Sequence, residues 1–64
     1  MGMEWIRTTY GVPAKRGGRV KYTGSKVAEY GTIKSATGGR LNIQLDGWKF
    51  AVPFHPTWEL EYLP

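Results

Sequence analysis

Residues 39–54, GRLNIQLDGWKFAVPF, restrict the fold more than any other part of the chain. Their Asp46-Gly47 dipeptide is typical of a two-residue β-hairpin turn, in which both central residues need positive φ. Because side chains alternate along a strand, such a turn places the apolar residues of both arms on one face. The cross-strand pairs it creates are Leu45–Trp48, Ile43–Phe50 and Leu41–Val52. The sequence therefore predicts a hairpin whose buried face includes both Ile43 and Phe50.

The composition indicates one small domain. A chain of 64 residues buries only about 60% of the surface that its unfolded form exposes. It has no cysteine, so three tryptophans, four tyrosines and two phenylalanines must supply much of the core. No apolar run approaches the ~20 residues of a membrane span, and no signal-peptide pattern opens the chain. We therefore expect a soluble protein of the cytoplasm that does not associate with membranes.

The formal net charge of +4 is unevenly distributed along the chain. Residues 15–40 contain seven cations and one acid, Glu29, which gives this segment a net charge of +6. From residue 41 onward one cation faces three acids, a net −2. A small domain with one basic side favours a polyanionic partner. The alternative is that the cations only solubilise the surface.

Two further strand candidates, residues 19–23 and 30–35, are bounded by glycines. A three-residue loop at positions 37–39, with glycine in the left-handed conformation, joins the second candidate to the next strand. The pairs created by this loop are Ile33–Ile43 and Gly31–Leu45. A two-residue Gly38-Gly39 turn would instead set Ile33 opposite Gln44 and put the apolar faces out of phase. The sequence therefore favours the three-residue loop.

The two ends of the chain are expected to be less regular. Pro53 and Pro56 prevent one continuous C-terminal strand, and Pro56 can open a single 3₁₀ turn. Residues 58–62 then alternate as a half-buried final strand. The aromatic residues predicted to lie in the core are Tyr22, Trp58 and Tyr62. Residues 4–16 are expected to be extended or irregular and to pack across one end of the sheet.

Together these segments predict an all-β fold, a small five-stranded Src-homology-3-like barrel with a short 3₁₀ turn before the last strand. We expect a single domain, 1–64, in which an N-terminal arm (1–16) packs on the barrel (17–64). A five-stranded oligonucleotide-binding fold is the alternative, although it normally needs more residues and often a helix.

Two resemblances to known families accompany this pattern. GRVKYTG at residues 18–24, followed by YGTI at residues 30–33, resembles the KOW motif of ribosomal and transcription-elongation proteins. The chain also resembles short uncharacterised proteins of bacteriophages and prophages, through VPAKRGGRV, GTI, L-x-I-x-LDG, FHPTW and LEYL. The second resemblance implies a compact barrel encoded by a phage or mobile element, acting in the bacterial host cytoplasm. It implies no particular activity.

The basic segment supplies the candidate binding site. Arg19 and Lys34 are predicted to face outward, and if Val20 pairs with Ile33 the two cations stand side by side. That arrangement is mildly destabilising, on the order of a few tenths of a kcal/mol, and a phosphate backbone would relieve it. Trp48, at the rim of the hairpin, either stacks on a nucleobase or caps the barrel. The predicted nucleic-acid-binding residues are Arg16, Arg19, Lys21, Lys34, Arg40, Trp48 and Lys49.

Catalysis has little support in the sequence. His55 is the sole histidine, and its neighbouring prolines indicate a turn residue hydrogen-bonded to the backbone. Glu59 and Glu61 share one face of a strand at roughly 7 Å between Cα atoms, which suits a solvent-facing edge better than an acid–base pair. We predict no catalytic residues, no metal site and no cofactor.

The expected function is therefore that of a non-enzymatic binding module. It would bind DNA or RNA mainly through phosphates, with little sequence specificity. The alternative is a protein–protein interaction module, a phage-type accessory protein that binds a host protein or associates with itself. A monomer or a weak homo-oligomer fits either function.

Overall fold

The computed structural model describes residues 2–64 as one α-helix followed by five β-strands in a single antiparallel sheet. The elements are α1 (Met3–Tyr10), β1 (Arg19–Tyr22), β2 (Glu29–Thr37), β3 (Arg40–Leu45), β4 (Val52–Phe54) and β5 (Leu60–Tyr62). The strand order is β4-β3-β2-β1-β5, so the last strand returns to pair with the first. This arrangement confirms the small five-stranded all-β fold and is consistent with a barrel-like domain.

The β2–β3 hairpin contains the predicted residue pairs but has a shorter loop and a β-bulge. Ile33 lies opposite Ile43, as the sequence predicted. The loop, however, is the two-residue Gly38-Gly39 turn that sequence reasoning disfavoured, with φ of 56° and 81°. A β-bulge at Lys34 absorbs the extra residue between Ile33 and Ser35. Because a bulge sets two residues opposite one, the apolar side chains of β2 and β3 lie on the same face of the sheet despite the shorter loop.

The β3–β4 connection differs from the predicted tight hairpin. Ile43 pairs with Val52 rather than with Phe50, a register shift of two residues. Of the two turn residues only Gly47 has positive φ, at 88°. A type I′ hairpin turn needs positive φ at both central residues, so Asp46-Gly47 does not form the predicted two-residue hairpin turn. Residues 46–51 form a longer loop, and the Phe50 side chain is 76% exposed. A register shift of two residues keeps each β3 side chain on the same face of the sheet, so Ile43 is buried as predicted. Phe50 falls in the loop before β4, and the prediction that it is buried is wrong.

The core consists of seven buried apolar side chains: Ile6, Ala14, Val20, Ile33, Leu41, Ile43 and Leu45. Tyr22 and Tyr62 pack against this cluster and are half-buried, as predicted. Trp58 is not part of it, because its side chain is 65% exposed. Glu59 has a left-handed φ of 54°, and this backbone reversal interrupts the alternation that placed Trp58 inward.

The N-terminal arm is helical rather than extended. Met3, Ile6 and Tyr10 recur at a spacing of three and four residues, which places them on one face of α1 against the core. Ile6 is completely buried. The helix ends at Gly11, whose φ of 66° lets its N–H donate to the Arg7 carbonyl oxygen at 2.9 Å. The extended prediction failed because an eight-residue helix carries a weak periodic signal.

A single turn precedes β5, where the sequence predicted a short 3₁₀ turn. The Trp58 N–H donates to the His55 carbonyl oxygen at 3.4 Å, and Pro56 between them is buried. The Tyr62 hydroxyl donates to the Pro56 carbonyl oxygen at 2.7 Å and ties this turn to the last strand. The part of the chain that the structure describes has no helix with the length and apolar character needed to traverse a bilayer.

Candidate nucleic-acid interface

The solvent-facing side of the β2–β3 hairpin, called the outer face below, combines cations with neutral hydrogen-bonding groups. Except at the Lys34 bulge, its members alternate with the inward-facing residues of the two strands. They are Tyr30, Thr32, Lys34, Ser35, Thr37, Arg40, Asn42 and Gln44. Residues 30–45 contain no aspartate or glutamate. The outer face therefore has donors for phosphate oxygens and no carboxylate of its own.

Side-chain hydrogen bonds, to other side chains and to the backbone, hold parts of the outer face in place. The Asn42 amide donates from Nδ2 to Ser35 Oγ at 2.9 Å and to Thr37 Oγ1 at 3.1 Å. The Gln44 Nε2 donates to the Trp48 carbonyl oxygen at 2.7 Å and so links β3 to the following loop. Side chains with fixed orientation lose less conformational entropy when a ligand binds.

Arg19 forms the one ion pair present among residues 2–64. Its Nη1 donates to Asp46 Oδ1 at 2.9 Å and its Nη2 to Asp46 Oδ2 at 2.6 Å, while Nη1 also donates to Thr32 Oγ1 at 2.8 Å. The hydrogen bonds between the two groups, with their opposite charges, raise the pKa of Arg19 and lower the pKa of Asp46. The nearest carboxylate beside the outer face is thereby neutralised.

The strand register places Arg19 differently from the sequence prediction. Val20 pairs with Gly31, so Arg19 lies opposite Thr32 and not beside Lys34. The expected repulsion between two adjacent cations is absent from this pair of strands. Arg19 forms its ion pair with Asp46, and Lys34 lies on the bulge with its side chain exposed.

A polar hollow of 180 Å³ brings Lys34 and Trp48 together. It lies over the end of the β2–β3 hairpin and is lined by Thr32, Lys34, Gln44, Leu45, Asp46, Gly47 and Trp48. The Trp48 side chain is 45% exposed, so part of the indole faces solvent. Lys49 follows it on the exposed loop. The hollow thus joins an aromatic surface to a cation, to neutral polar groups and to the Asp46 carboxylate, which is paired with Arg19.

Two other predicted cations, Arg16 and Lys21, are not among the residues that line the hollow. Arg16 is exposed and precedes Gly17, whose N–H donates to the Ile33 carbonyl oxygen at 2.8 Å next to the bulge. Lys21 is half-buried on β1 and has Glu61 as its cross-strand neighbour. The structure therefore brings Lys34 and Trp48 together at one hollow and leaves Lys21 beside an acid.

Arg40 belongs to an aromatic cluster that sequence reasoning did not find. Its Cζ lies 5.9 Å from the centroid of the Trp58 ring. Trp58 in turn stacks on His55, with ring centroids 4.0 Å apart and an interplanar angle of 9°. Tyr10 meets His55 edge-on at 5.2 Å, and Trp5 meets Tyr10 at 6.1 Å. The three-residue spacing of His55 and Trp58 about Pro56 was the available signal, because one turn brings such residues together.

His55 is held as a turn residue, as the sequence predicted. The Thr57 backbone N–H donates to His55 Nδ1 at 3.1 Å. Desolvation, reinforced by the positive charge of Arg40, lowers the pKa of His55. A neutral imidazole with an unprotonated Nδ1 is the form that this hydrogen bond requires.

A groove of 480 Å³, called the seam groove below, runs between the edge strand β4 and the start of β5. Its walls are Tyr22, Val52, Pro53, Phe54, His55, Trp58 and Glu59. Tyr22 and Phe54 meet edge-on at 5.0 Å across it. Because β4 and β5 are the two ends of the sheet order, no ladder of hydrogen bonds closes the sheet here.

No protein-family model, curated protein or solved structure significantly matches the chain. Within residues 2–64, no three side chains of the metal-ligating types come together as a site. The fold and surfaces define a small antiparallel β-sheet protein with one acid-free polar face and one apolar seam.

Proposed function

We propose that this protein is a nucleic-acid-binding module whose contact surface is the outer face of the β2–β3 hairpin. The observation that carries the proposal is the composition of that face, which presents Lys34, Arg40 and six neutral polar side chains without a carboxylate. A phosphate backbone requires such a surface, because every unpaired carboxylate near it would cost affinity. The Arg19–Asp46 pair supports the same conclusion, since it neutralises the acid nearest to the face.

The exposed aromatic residues favour a single strand over a duplex. Trp48 borders the hollow that Lys34 also lines, so a base stacked on the indole would bring its phosphate near an ammonium group. Trp58 offers a second exposed ring beside Arg40. Base–aromatic stacking is worth about 1–3 kcal/mol per base and tolerates any sequence. The ligand we propose is therefore single-stranded DNA or RNA, bound with little base preference.

The finer assignments made from the sequence belong to the same proposal. The five-stranded order with β5 beside β1 supports the Src-homology-3-like arrangement and its KOW-like strand pair. The likeness to short bacteriophage and prophage proteins supports a phage or mobile-element origin and a site of action in the bacterial cytoplasm. Fold alone does not assign function, so binding has to be measured.

Fluorescence anisotropy with labelled single-stranded and duplex oligonucleotides, at two salt concentrations, tests the proposal. We expect tighter binding to single strands and a steep loss of affinity with salt. The double variant K34A/R40A should weaken binding and reduce the slope of log K against log salt by about 0.7 for each phosphate contact removed. K26A is the matched control, since Lys26 is an exposed cation in the β1–β2 loop, off the outer face. Absence of binding at low salt would overturn the proposal.

A second candidate, protein recognition, is favoured by the exposure of Phe50 and by the apolar walls of the seam groove. A bacterial lysate pulldown that recovers one stoichiometric protein after nuclease treatment supports it. Loss of every captured protein after nuclease treatment contradicts it.

A further inference from the structure

Phe50 is the most exposed aromatic side chain in the structure, at 76%. It lies in the loop of residues 46–51, directly after Lys49 and just before the edge strand β4. Both residues point their functional groups into solvent, and within the described chain Lys49 has no ion-pair partner. An apolar ring next to a free cation is a feature that a complementary surface can bury.

The seam groove is complementary to this feature in polarity and charge. Its walls are mainly apolar and aromatic, from Val52, Phe54 and Trp58, which suits the ring of a phenylalanine. Its one carboxylate is Glu59, for which no basic partner within ion-pair distance is found in residues 2–64. An apolar groove with a single free carboxylate fits a phenylalanine that carries a lysine beside it.

We propose that two copies of this chain associate through these surfaces. Phe50 of one copy enters the seam groove of the other, and Lys49 of the first pairs with Glu59 of the second. The loop that carries Phe50 continues directly into β4, which forms one wall of the groove, so donor and acceptor are adjacent on each copy. A two-fold arrangement can therefore satisfy both contacts at once and closes as a dimer.

The association is made by side chains and not by joining sheets. Pro53, at the centre of β4, has no N–H, so the free edge of this strand cannot form a complete ladder with another strand. The outer face of the β2–β3 hairpin remains open in such a dimer. Trp58 and Lys49 belong to both proposed surfaces, whereas Lys34 and Phe50 each belong to one, so K34A/R40A and F50S test nucleic-acid binding and the dimer separately and either proposal can fail without the other.

Sedimentation equilibrium on nuclease-treated protein, from about 10 μM to about 1 mM, tests the dimer. We expect a concentration-dependent dimer, and we expect F50S to abolish it while leaving the circular dichroism spectrum unchanged. K26E, which reverses an exposed cation outside the interface, should leave the dissociation constant unchanged. A monomer throughout this range, or a dimer unaffected by F50S, overturns the proposal.

A charge-reversal experiment tests the pairing of the two residues. K49E and E59K should each raise the dissociation constant by on the order of tenfold, because like charges then face each other at both contacts. An equal mixture of K49E and E59K should recover association, since opposite charges meet at both contacts of the mixed dimer. This mixture also controls for folding, because a misfolded variant would not form the mixed dimer. Failure of the mixture to associate overturns the assignment of Lys49 and Glu59.

Discussion

Arg19 on β1 and Asp46 after β3 form an ion pair that passes over β2, with N–O distances of 2.9 and 2.6 Å. A guanidinium that meets both carboxylate oxygens has a preferred geometry, and Thr32 accepts a further hydrogen bond from it. The pair ties β1 to the β3–β4 loop and removes a negative charge from beside the outer face. It joins residues 27 positions apart, so no local pattern could indicate it.

Substitution of Arg19 should raise the pKa of Asp46 toward that of an unperturbed aspartate. In R19Q we expect the pKa of Asp46 to rise toward 3.8, the value for an unperturbed aspartate, because its main hydrogen-bond donor is lost. The lowered pKa contributes stability above about pH 3.8 that is lost as the pH falls through the folded-state pKa, so R19Q should lose this part of the acid dependence. Carboxyl carbon NMR titration measures the change, with R16Q as control. An unchanged Asp46 titration in R19Q contradicts the pairing.

Truncation of Ile6 tests the docking of α1. I6A should lower the free energy of unfolding by about 2–5 kcal/mol, because a completely buried aliphatic side chain is replaced by a small one and leaves a cavity. Urea denaturation measures it. T9A is the control, since Thr9 is exposed on the same helix. If I6A and T9A had equal stability, the helix would not be packed on the core.

Addition of one methyl group at Gly31 should disturb the sheet. A Cβ there would meet Gln44 O and Ile43 Cγ2 at 2.9 Å and Leu45 Cδ2 at 3.0 Å, closer than such contacts normally come. G31A should therefore cost about 1–3 kcal/mol in unfolding free energy, typical of overpacking. At Gly2 a Cβ meets nothing within 4 Å, so G2A serves as the control in the same denaturation experiment. Wild-type stability in G31A would show that β2 and β3 are not this close.

Acidification should destabilise the turn that carries Trp58. The pKa of His55 lies below its usual 6.5, first because of desolvation and then because of Arg40. The folded state therefore binds the proton less readily than the unfolded chain does. Stability is complete above about pH 6.5 and decreases as the pH falls through the folded-state pKa. Tyr10, Trp58 and Thr57 contact the ring and carry no charge, while Glu59 lines the groove that His55 also lines.

The measurement is the midpoint of urea unfolding, followed by tryptophan fluorescence, between about pH 8 and about pH 5. H55N is the matched variant, because an asparagine oxygen can accept the Thr57 N–H bond and does not titrate. Its unfolding midpoint should lack the decrease expected for the wild type below about pH 6.5. An equal decrease in H55N would assign the effect to another group.

Local pattern was sufficient for β1, β2 and β3 but not for the connections or for the extent of β4 and β5. The alternation of Leu41, Ile43 and Leu45 indicated the buried side of β3, and the pairing of Ile33 with Ile43 followed from matching apolar faces. The bulge at Lys34 was not predictable, because a bulge and a one-residue change of loop length give the same match of faces. The β3–β4 register failed for a similar reason, since a shift of two residues preserves the burial pattern.

The candidate interface was predicted in composition but not in grouping. The sequence indicated a basic surface with Trp48 at its rim, and Lys34 and Trp48 do line one hollow. It missed the cluster around Trp58, which depends on a helix that was expected to be extended and on the backbone reversal at Glu59. The function of both surfaces stays a prediction until binding is measured.

The sequence by itself determined which residues of β1, β2 and β3 face inward and that residues 30–45 present cations without acids, because both depend on neighbours in the chain. Tertiary structure alone decided the exposure of Phe50, the ion pair between Arg19 and Asp46, and the stacking of Trp58 on His55. These depend on contacts between distant segments, whose free energies are comparable to those of several alternative registers, so local preference cannot select among them.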